Sequence, residues 1–526
     1  MNIIYKKLLL MLLPVSALLT AGCTHDFEKT NTDPNKMNVG ELQPYGMFEN
    51  LFYSTAKNST YYSYYWNDEL VQFTACTPMT AQERHRYKIS DNQFASIWNN
   101  YATKAGNAVH MYKLAEKYDD NACKAVATTL KVYLMSNLTD IFGDIPYREA
   151  FRGDEGIDRP VFDSQKEVYE QMFAELEAAN ALYAGKPKFE KPTMDLMYNG
   201  DMALWRKFSN SLYLRLLCRV SGRAEMNVGA KMQEMLDNPD KYPLISSNAE
   251  SATVHNTGVD PYYNYFRPID IDKSKFTSNS YKITEQFLKM TLFSDGSSTE
   301  QDPRLTTWAS KLAGADDWKG TVSGCSPEDA GTYSEGASHL NYEVLVRDDA
   351  PAFLMDYSEV LFIFAEAAQK GLISGGESVA RRYYEAAVTA SCRKWSEYEQ
   401  FSKVKTPIDD AHISALLSGR LAGWDNYTDK AQLIAEQKFL SLFWVGMEAY
   451  HEIRRTGCPR LTIGEGTFYN NNQFPQRMAY STTTTGTNPD NVRAALDRMG
   501  GENNMRTPVW WSVMAITGTF PIANPK

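Results

Sequence analysis

The chain has 526 residues, 43% hydrophobic and 22% charged, an ordinary globular balance that supports a packed core and argues against disorder. A formal net charge of −10, with no long Lys/Arg cluster after the first residues, excludes the cationic surface that phosphate-backbone binding requires. Length alone would suggest about two to four domains, a limit that an array of helical repeats escapes.

At the start, Lys6-Lys7 precede a mostly apolar run from Leu8 to Leu19, broken by Pro14 and followed by Thr20-Ala21-Gly22-Cys23. This reads as a secretory signal over residues 1–22, short of the roughly 20 apolar residues a spanning helix needs. Small residues leading into one cysteine resemble a bacterial lipoprotein cleavage box, with Thr20 where Leu is commonest. The resemblance implies a mature protein that begins at an acylated Cys23. Two or more acyl chains, at about 0.8 kcal/mol per buried methylene, make a stable anchor where one would not. A plain signal peptide with an incidental cysteine is the alternative. Residues 23–38 form a polar tether in which Asn31-Thr32-Asp33-Pro34-Asn35 favours loops.

Val39 to Lys57 and Tyr61 to Cys76 read as helices, the second dense in Tyr61, Tyr62, Tyr64, Tyr65 and Trp66. A polar loop through Arg84, His85, Arg86 and Tyr87 follows. Asp91 to Tyr118 and Asn121 to Asp140 form a helical hairpin, since Asp119-Asp120 is too short to do other than turn the chain back. Ile141 to Tyr147, containing Gly143 and Pro146, ends it. Asp163 can cap a helix to about Tyr183, and Asp201 to Val220 pairs with it. From Tyr242 to Ala350 the chain is rich in Gly, Ser, Asn, Asp and Pro, with helical signal only near Tyr281 to Leu292, and a stretch of that kind usually carries function. Asp356 to Lys370 and Glu377 to Trp395 follow, with Ala380, Tyr384 and Ala387 at tetratricopeptide-like spacing. Gly464 to Asp490 is a second loop region, with Ser481 to Gly486 as an exposed loop.

The best-specified stretch is Asp429 to Pro459. Asp429 can cap a helix with Gln432 answering it, and Gly457 and Pro459 follow a last turn whose Arg454 and Arg455 suit the helix dipole. Apolar residues on two faces between these ends predict one helix buried among others. With its partner it completes about four helical hairpins, enough for a short solenoid. An irregular α bundle is the alternative.

These residues carry a family resemblance. Glu436-Gln437-Lys438-Phe439 through Phe443-Trp444 and Gly446, then Glu448-Ala449-Tyr450 and Glu452 to Pro459, resemble the late helix of SusD/RagB-type nutrient-binding lipoproteins. So do Asp302 to Leu305, Met355 to Val360 with Ala365 to Ala368, Asn503-Asn504 and Thr507 to Trp511. Phe474-Pro475-Gln476-Arg477 departs from the Pro-Arg-Arg such members show, which puts the local loop contacts in doubt. The resemblance implies a mainly α, tetratricopeptide-like domain over 39–526, its loop-rich insertion at about 242–350 facing the ligand. It also implies an outer-membrane, cell-surface location and a SusC-like TonB-dependent transporter as partner.

No enzyme template is present: no Gly-x-Ser-x-Gly, no phosphate-binding Gly-Lys-Ser/Thr loop, no Gly-x-Gly-x-x-Gly, and His451-Glu452 lacks a second zinc ligand. No metal or cofactor is expected. Cys76, Cys123, Cys218, Cys325, Cys392 and Cys458 form no Cys-x-x-Cys pair, and Cys123, Cys218 and Cys392 read as small buried hydrophobes. Aromatics are the stronger signal, 13% of the chain with 32 tyrosines. A tyrosine's apolar face and polar tip suit a sugar, whose C–H faces stack while its hydroxyls hydrogen-bond. The candidate ligand contacts are Tyr262, Tyr263, Tyr265 and Arg267, then Trp318, Tyr333 and Asn341, with Trp66 and Tyr87 from the earlier elements. The alternative for each ring is that it wedges the loop onto the helices. Oligosaccharide capture for delivery to the transporter is the expected function. Its rivals are a secreted glycan-cleaving enzyme, a protein-interaction scaffold and a peptide-binding member of the same family.

Overall fold

Caps written into the chain set most of the helix boundaries. The computed structural model describes residues 42–76, 83–266 and 281–522. The expected signal segment 1–22, Cys23, the tether 23–38 and Arg267 lie outside the described residues. Helix α1 (Pro44–Tyr62) starts on a proline, whose missing N–H costs nothing in a first turn. Ser90 and Gln93 form a capping box for α2 (Asp91–Lys117), and Asp120 accepts from the Cys123 N–H at 2.8 Å to start α3 (Asn121–Phe142). Ser164 and Glu167 box α4 (Gln165–Ala184), and Asp201 caps α5 (Met202–Arg219). Asp163, the expected cap of α4, instead accepts from the N–H groups of Tyr147 and Arg148, both at 2.9 Å. After α6 (Val228–Asp237) come α7 (Tyr357–Gln369), α8 (Gly376–Ser396), α9 (Asp410–Ser418), α10 (Lys430–Ser441), α11 (Glu448–Thr456) and α12 (Pro489–Met499).

The chain is mainly helical, and neighbours in sequence are neighbours in space. α1 packs on α2, α2 on α3, α3 on α4, α4 on α5, α5 on α7, and α7 on both α8 and α10. This is consistent with the expected tetratricopeptide-like hairpins. One contiguous hydrophobic core runs from Tyr45 to Trp511. The short strands are β1 (Thr74–Cys76), β2 (Ala252–Val254), β3 (Tyr281–Ile283), β4 (Leu292–Ser294), β5 (Thr299–Gln301), β6 (Ala309–Ser310), β7 (His339–Leu340) and β8 (Ala352–Met355). They form an antiparallel sheet in the order β1-β3-β7-β6 and two ribbons, β2-β8 and β4-β5. Much of the expected loop insertion is therefore pinned to the helices by ladders too short to leave a period in the sequence.

Several expected elements differ. The helices expected at Val39–Lys57 and Tyr61–Cys76 are one rod: α1 runs into a π turn, Ser63–Asn67, then Asp68–Leu70 and β1. The π turn brings Asn67 Oδ1 to the Tyr450 N–H at 2.9 Å, satisfying an orphan donor in the first turn of α11. The single helix expected from Asp429 to Pro459 is two, α10 and α11, joined through Leu442–Met447 with Trp444 and Gly446 at φ 68° and 53°. Every residue from Gln437 to Arg455 is buried, so no exposed face betrays the break. Its outer signals hold: Asp429 accepts from the Gln432 N–H at 3.0 Å, and Gly457 takes φ 70°. The helix expected at Tyr281–Leu292 shrinks to Glu285–Thr291 between β3 and β4, and the loop expected at Ser481–Gly486 is a short helix, Thr482–Thr487. Trp511 is fully buried, its indole N–H donating to Asp140 at 2.8 Å, so it pins the C-terminal segment to α3.

At the centre, α3, α5, α7, α10 and α11 share buried charges. Arg215 pairs with Glu359 at 2.5 Å and with Glu448 at 3.4 Å, while Arg219 meets Asp140 at 3.2 Å and also Glu448. Lys438 meets Glu366 at 3.3 Å and Glu452 at 3.2 Å, and Arg455 reaches both at 2.6 Å. Arg455 thus serves this interior rather than only the helix dipole, and the buried Arg454 donates to the Asp140 and Gln476 carbonyls at 2.7 and 2.8 Å. The Arg455, Lys370 and Lys438 cations overcome burial and hold Glu366 well below the ordinary carboxylate range. Removing one partner of such a buried pair leaves uncompensated charge. Glu366→Gln should lower the unfolding free energy by about 3–5 kcal/mol in urea titrations at pH 7. Because its folded value is depressed, the stability Glu366 contributes is present above the unfolded value of about 4.5 and disappears as pH falls through the folded one. Acid titration of the wild type should show this loss below about pH 4.5, and Glu366→Gln should flatten it.

Candidate functional site: a tyrosine seam on the first helix

Along α1 and its π turn, Glu49, Tyr53, Lys57, Tyr61 and Tyr65 recur every fourth residue, which in a helix places them on one face. All five are half-buried, while the opposite face, with Phe48, Phe52 and Thr55, is in the core. The segment 256–266 is laid along this stripe. Asn256 and Asn264 both donate to the Ala350 carbonyl, at 2.6 and 2.8 Å, fixing its course. Tyr262 then hydrogen-bonds Glu49, Tyr53 bonds the Tyr263 carbonyl, and the Tyr53 ring meets Tyr262 and Tyr263 edge-on at 5.8 and 6.4 Å. Further along, Tyr61 stacks on Tyr65 at 5.0 Å and leans on Tyr265 at 5.1 Å.

Two cations complete the seam. The Lys57 ammonium lies 4.0 Å from the Tyr263 ring centre and 4.4 Å from that of Tyr53, and burial lowers its pKa. Arg84 lies 3.5 Å over the Tyr65 ring and pairs with Glu69 at 2.7 Å, both side chains fully buried. The hydrogen bond to Glu49 pushes the Tyr262 phenol up to about 12. At neutral pH the Tyr262 hydroxyl therefore stays protonated, donating to Glu49 and free to accept. The arrangement is a half-exposed ledge of rings. Concavities of about 730 and 390 Å³ are lined by other residues.

The structure brings together only part of the residue set expected from sequence. Tyr262, Tyr263 and Tyr265 lie on the ledge, half-buried, so each both docks the loop and shows part of its ring. Trp66 is corrected: at 2% exposure it faces inward, about a quarter-turn round the rod from Tyr65. Tyr87, 1% exposed, is also corrected, since its left-handed backbone (φ 58°) turns the ring into the core against Phe474. Asn341 is structural as well, buried and donating to the Thr306 carbonyl at 2.8 Å and Ser402 at 2.9 Å. Trp318 is half-buried and donates to Gln301 at 2.9 Å, and Tyr333 is 41% exposed; among the described residues neither ring meets the seam. Tyr53, Lys57, Tyr61 and Tyr65 were missed, although their four-residue spacing was there to find. Phe468 and Tyr469, 50% and 44% exposed with ring centres 4.3 Å apart, were missed too.

Among the described residues no group of three or more His, Cys, Asp or Glu could hold a metal ion, and no helix is long and apolar enough to cross a membrane. No curated protein matches the chain. Solved structures do. The chain is similar to a chitin-binding protein at 23% identity, with 90% of this chain and 100% of that one covered and a TM-score of 0.73. It is also similar to a SusD homologue from Bacteroides fragilis at 21% identity, covering 90% and 99% with a TM-score of 0.73, and to one from Parabacteroides distasonis at 21%, covering 90% and 98% with a TM-score of 0.74. At that identity they establish the fold. The family model described as SusD-like, starch-binding and associating with the outer membrane matches residues 34–481. A match over most of the sequence, joined to this fold, makes the chain a member of the SusD-like family of outer-membrane-associated binding proteins, which are not enzymes.

Proposed function

We propose that this protein is a cell-surface lipoprotein, acylated at Cys23, that captures oligosaccharide on the tyrosine seam and passes it to a SusC-like TonB-dependent transporter. The observation that carries the ligand reading is the seam itself: tyrosine rings held half-exposed along the first helix and the loop laid on it, with the Tyr262 hydroxyl on Glu49 and the Tyr53 hydroxyl on the Tyr263 carbonyl. Such a ledge offers C–H stacking and paired donors and acceptors along one line, which suits an extended polyhydroxylated chain. Stacking at about 0.5–1.5 kcal/mol per ring, with a few hydrogen bonds, gives affinities in the micromolar to millimolar range. That suffices for a lid tethered beside its transporter, because tethering keeps the effective concentration high. The family description, starch-binding and associating with the outer membrane, supports the substrate class and the place.

Affinity electrophoresis of the mature chain against a panel of polysaccharides tests the capture step. Retardation by at least one glucan or related glycan is expected, reduced by about tenfold in affinity when Tyr61, Tyr262 and Tyr265 are changed together to alanine. Unchanged retardation in that variant, with an unchanged melting curve, would show that the ligand sits elsewhere. Release of reducing ends from the retarding polymer would instead favour a hydrolase. In the native host, Cys23→Ser should move the protein out of the membrane fraction and remove the transporter barrel from its pull-down.

A further inference from the structure

The β2-β8 ribbon and the end of α8 line a cavity of about 290 Å³ in which some polar side chains make no hydrogen bond to protein. Alternation along β2 turns Thr253 and His255 to one face, and Phe353 stands opposite Thr253 in the register of β8. α8 supplies Lys394, and Glu397 and Tyr398 follow directly after its end. Asp356, directly after β8, closes the floor. Its Oδ2 pairs with the Lys394 ammonium at 2.6 Å, their side chains 3% and 8% exposed, while its Oδ1 has no hydrogen-bond partner. Lys394 also lies 3.5 Å from the Phe353 ring centre. Among the described residues the side chains of Thr253, His255, Glu397 and Tyr398 make no hydrogen bond to protein.

His255 and Glu397 are exposed at the mouth of the cavity and open to water, whereas Asp356 Oδ1 is buried without a partner; buried polar groups are normally satisfied, so the cavity above it points to a ligand that donates a hydrogen bond there. Two carboxylates face one ammonium, so the site is acceptor-rich and carries a net negative charge, which disfavours an anion. Partial desolvation of the ring lowers the His255 imidazole below its ordinary range, leaving a neutral ring with one donor and one acceptor at pH 7. Tyr398 and Phe353, with ring centres 5.9 Å apart at 71°, supply an apolar wall. The volume equals that of about ten liquid waters at roughly 30 Å³ each, room for one small polyhydroxylated ring.

We propose that this cavity is a second sugar site, separate from the tyrosine seam, that takes a single neutral hexopyranose through Thr253, His255, Asp356, Glu397 and Tyr398. The choice of a sugar among polyols rests on the function proposed above; the demand for a donor-rich ligand rests on the cavity alone.

Ligand-observed NMR and calorimetric titration of the mature chain with glucose, galactose, N-acetylglucosamine, glucosamine and glucuronate test it. At least one neutral sugar should saturate the protein, with glucuronate weaker by about fivefold or more. Glu397→Gln and Tyr398→Phe, at the rim and not needed to close the core, should each weaken that sugar by about fivefold. Thr253→Val provides a third variant should either lower the melting temperature. Equal binding of glucuronate, binding of glucosamine alone, or neutral-sugar affinity indifferent to all three substitutions would overturn the site. Polymer retardation at the seam with no saturable monosaccharide would overturn the cavity and leave the seam. Saturation that Glu397→Gln weakens, without any polymer retardation, would uphold the cavity and overturn the seam.

Discussion

The buried charge network between α3, α5, α7, α10 and α11 is the constraint from which the rest of the structure follows. Four cations, Arg215, Arg219, Lys438 and Arg455, face five carboxylates, Asp140, Glu359, Glu366, Glu448 and Glu452. Taking such ions out of water costs several kcal/mol each, offset only in good geometry. Sliding any one of the five helices by a turn would strand a charge in the interior. The network therefore acts less as a source of stability than as a register, selecting one arrangement of helices from the many that greasy faces alone would tolerate. It also accounts for residues that the family resemblance could only match: Glu359 and Glu366 belong to one motif, and Lys438, Glu448, Glu452 and Arg455 to another.

An irregular segment holds a fixed course only against a rigid frame. The tyrosine seam depends on α1 being straight enough to repeat every fourth residue over five positions, and α1 is held by core on one side and by the π turn meeting α11 at its end. The loop is in turn fixed by hydrogen bonds to Ala350, and α1 itself touches β8 through Ser59, which donates to the Phe353 carbonyl at 2.6 Å. Phe353 thus has its backbone on the seam's helix and its ring in the polar cavity. Two surfaces of different chemistry, a ledge of rings and a pocket of acceptors, share one short ribbon as their support.

The Asn503–Trp511 region shows how a local departure from a family pattern can be absorbed. Gln476 stands where the pattern has arginine, yet its backbone N–H donates to the Met505 carbonyl at 2.7 Å. A backbone contact of that kind does not depend on which side chain the position carries. Arg477 reaches the Phe142 carbonyl and the Asn503 side-chain oxygen, both at 2.7 Å.

The sequence by itself determined the rods: the cap at Asp429, the C-terminal Gly457, the short link that folds α2 onto α3, and the motifs that mark the family. Caps and tight links act within a few residues, so the linear order of the chain carries them. It also singled out Tyr262, Tyr263 and Tyr265, because a ring cluster in a loop has no helical face to belong to. What only the tertiary structure decided was direction. An aromatic residue has much the same local preferences whether its ring packs inside or stands at the surface, so Trp66 and Tyr65, adjacent in the chain, could not be separated before the rod's neighbours were known. The break between α10 and α11 was hidden for the related reason that burial on all sides erases the periodicity from which a helix is read. The polar cavity was invisible too, since Thr253, Asp356 and Glu397 come from three elements that meet only when the ribbon docks on α8.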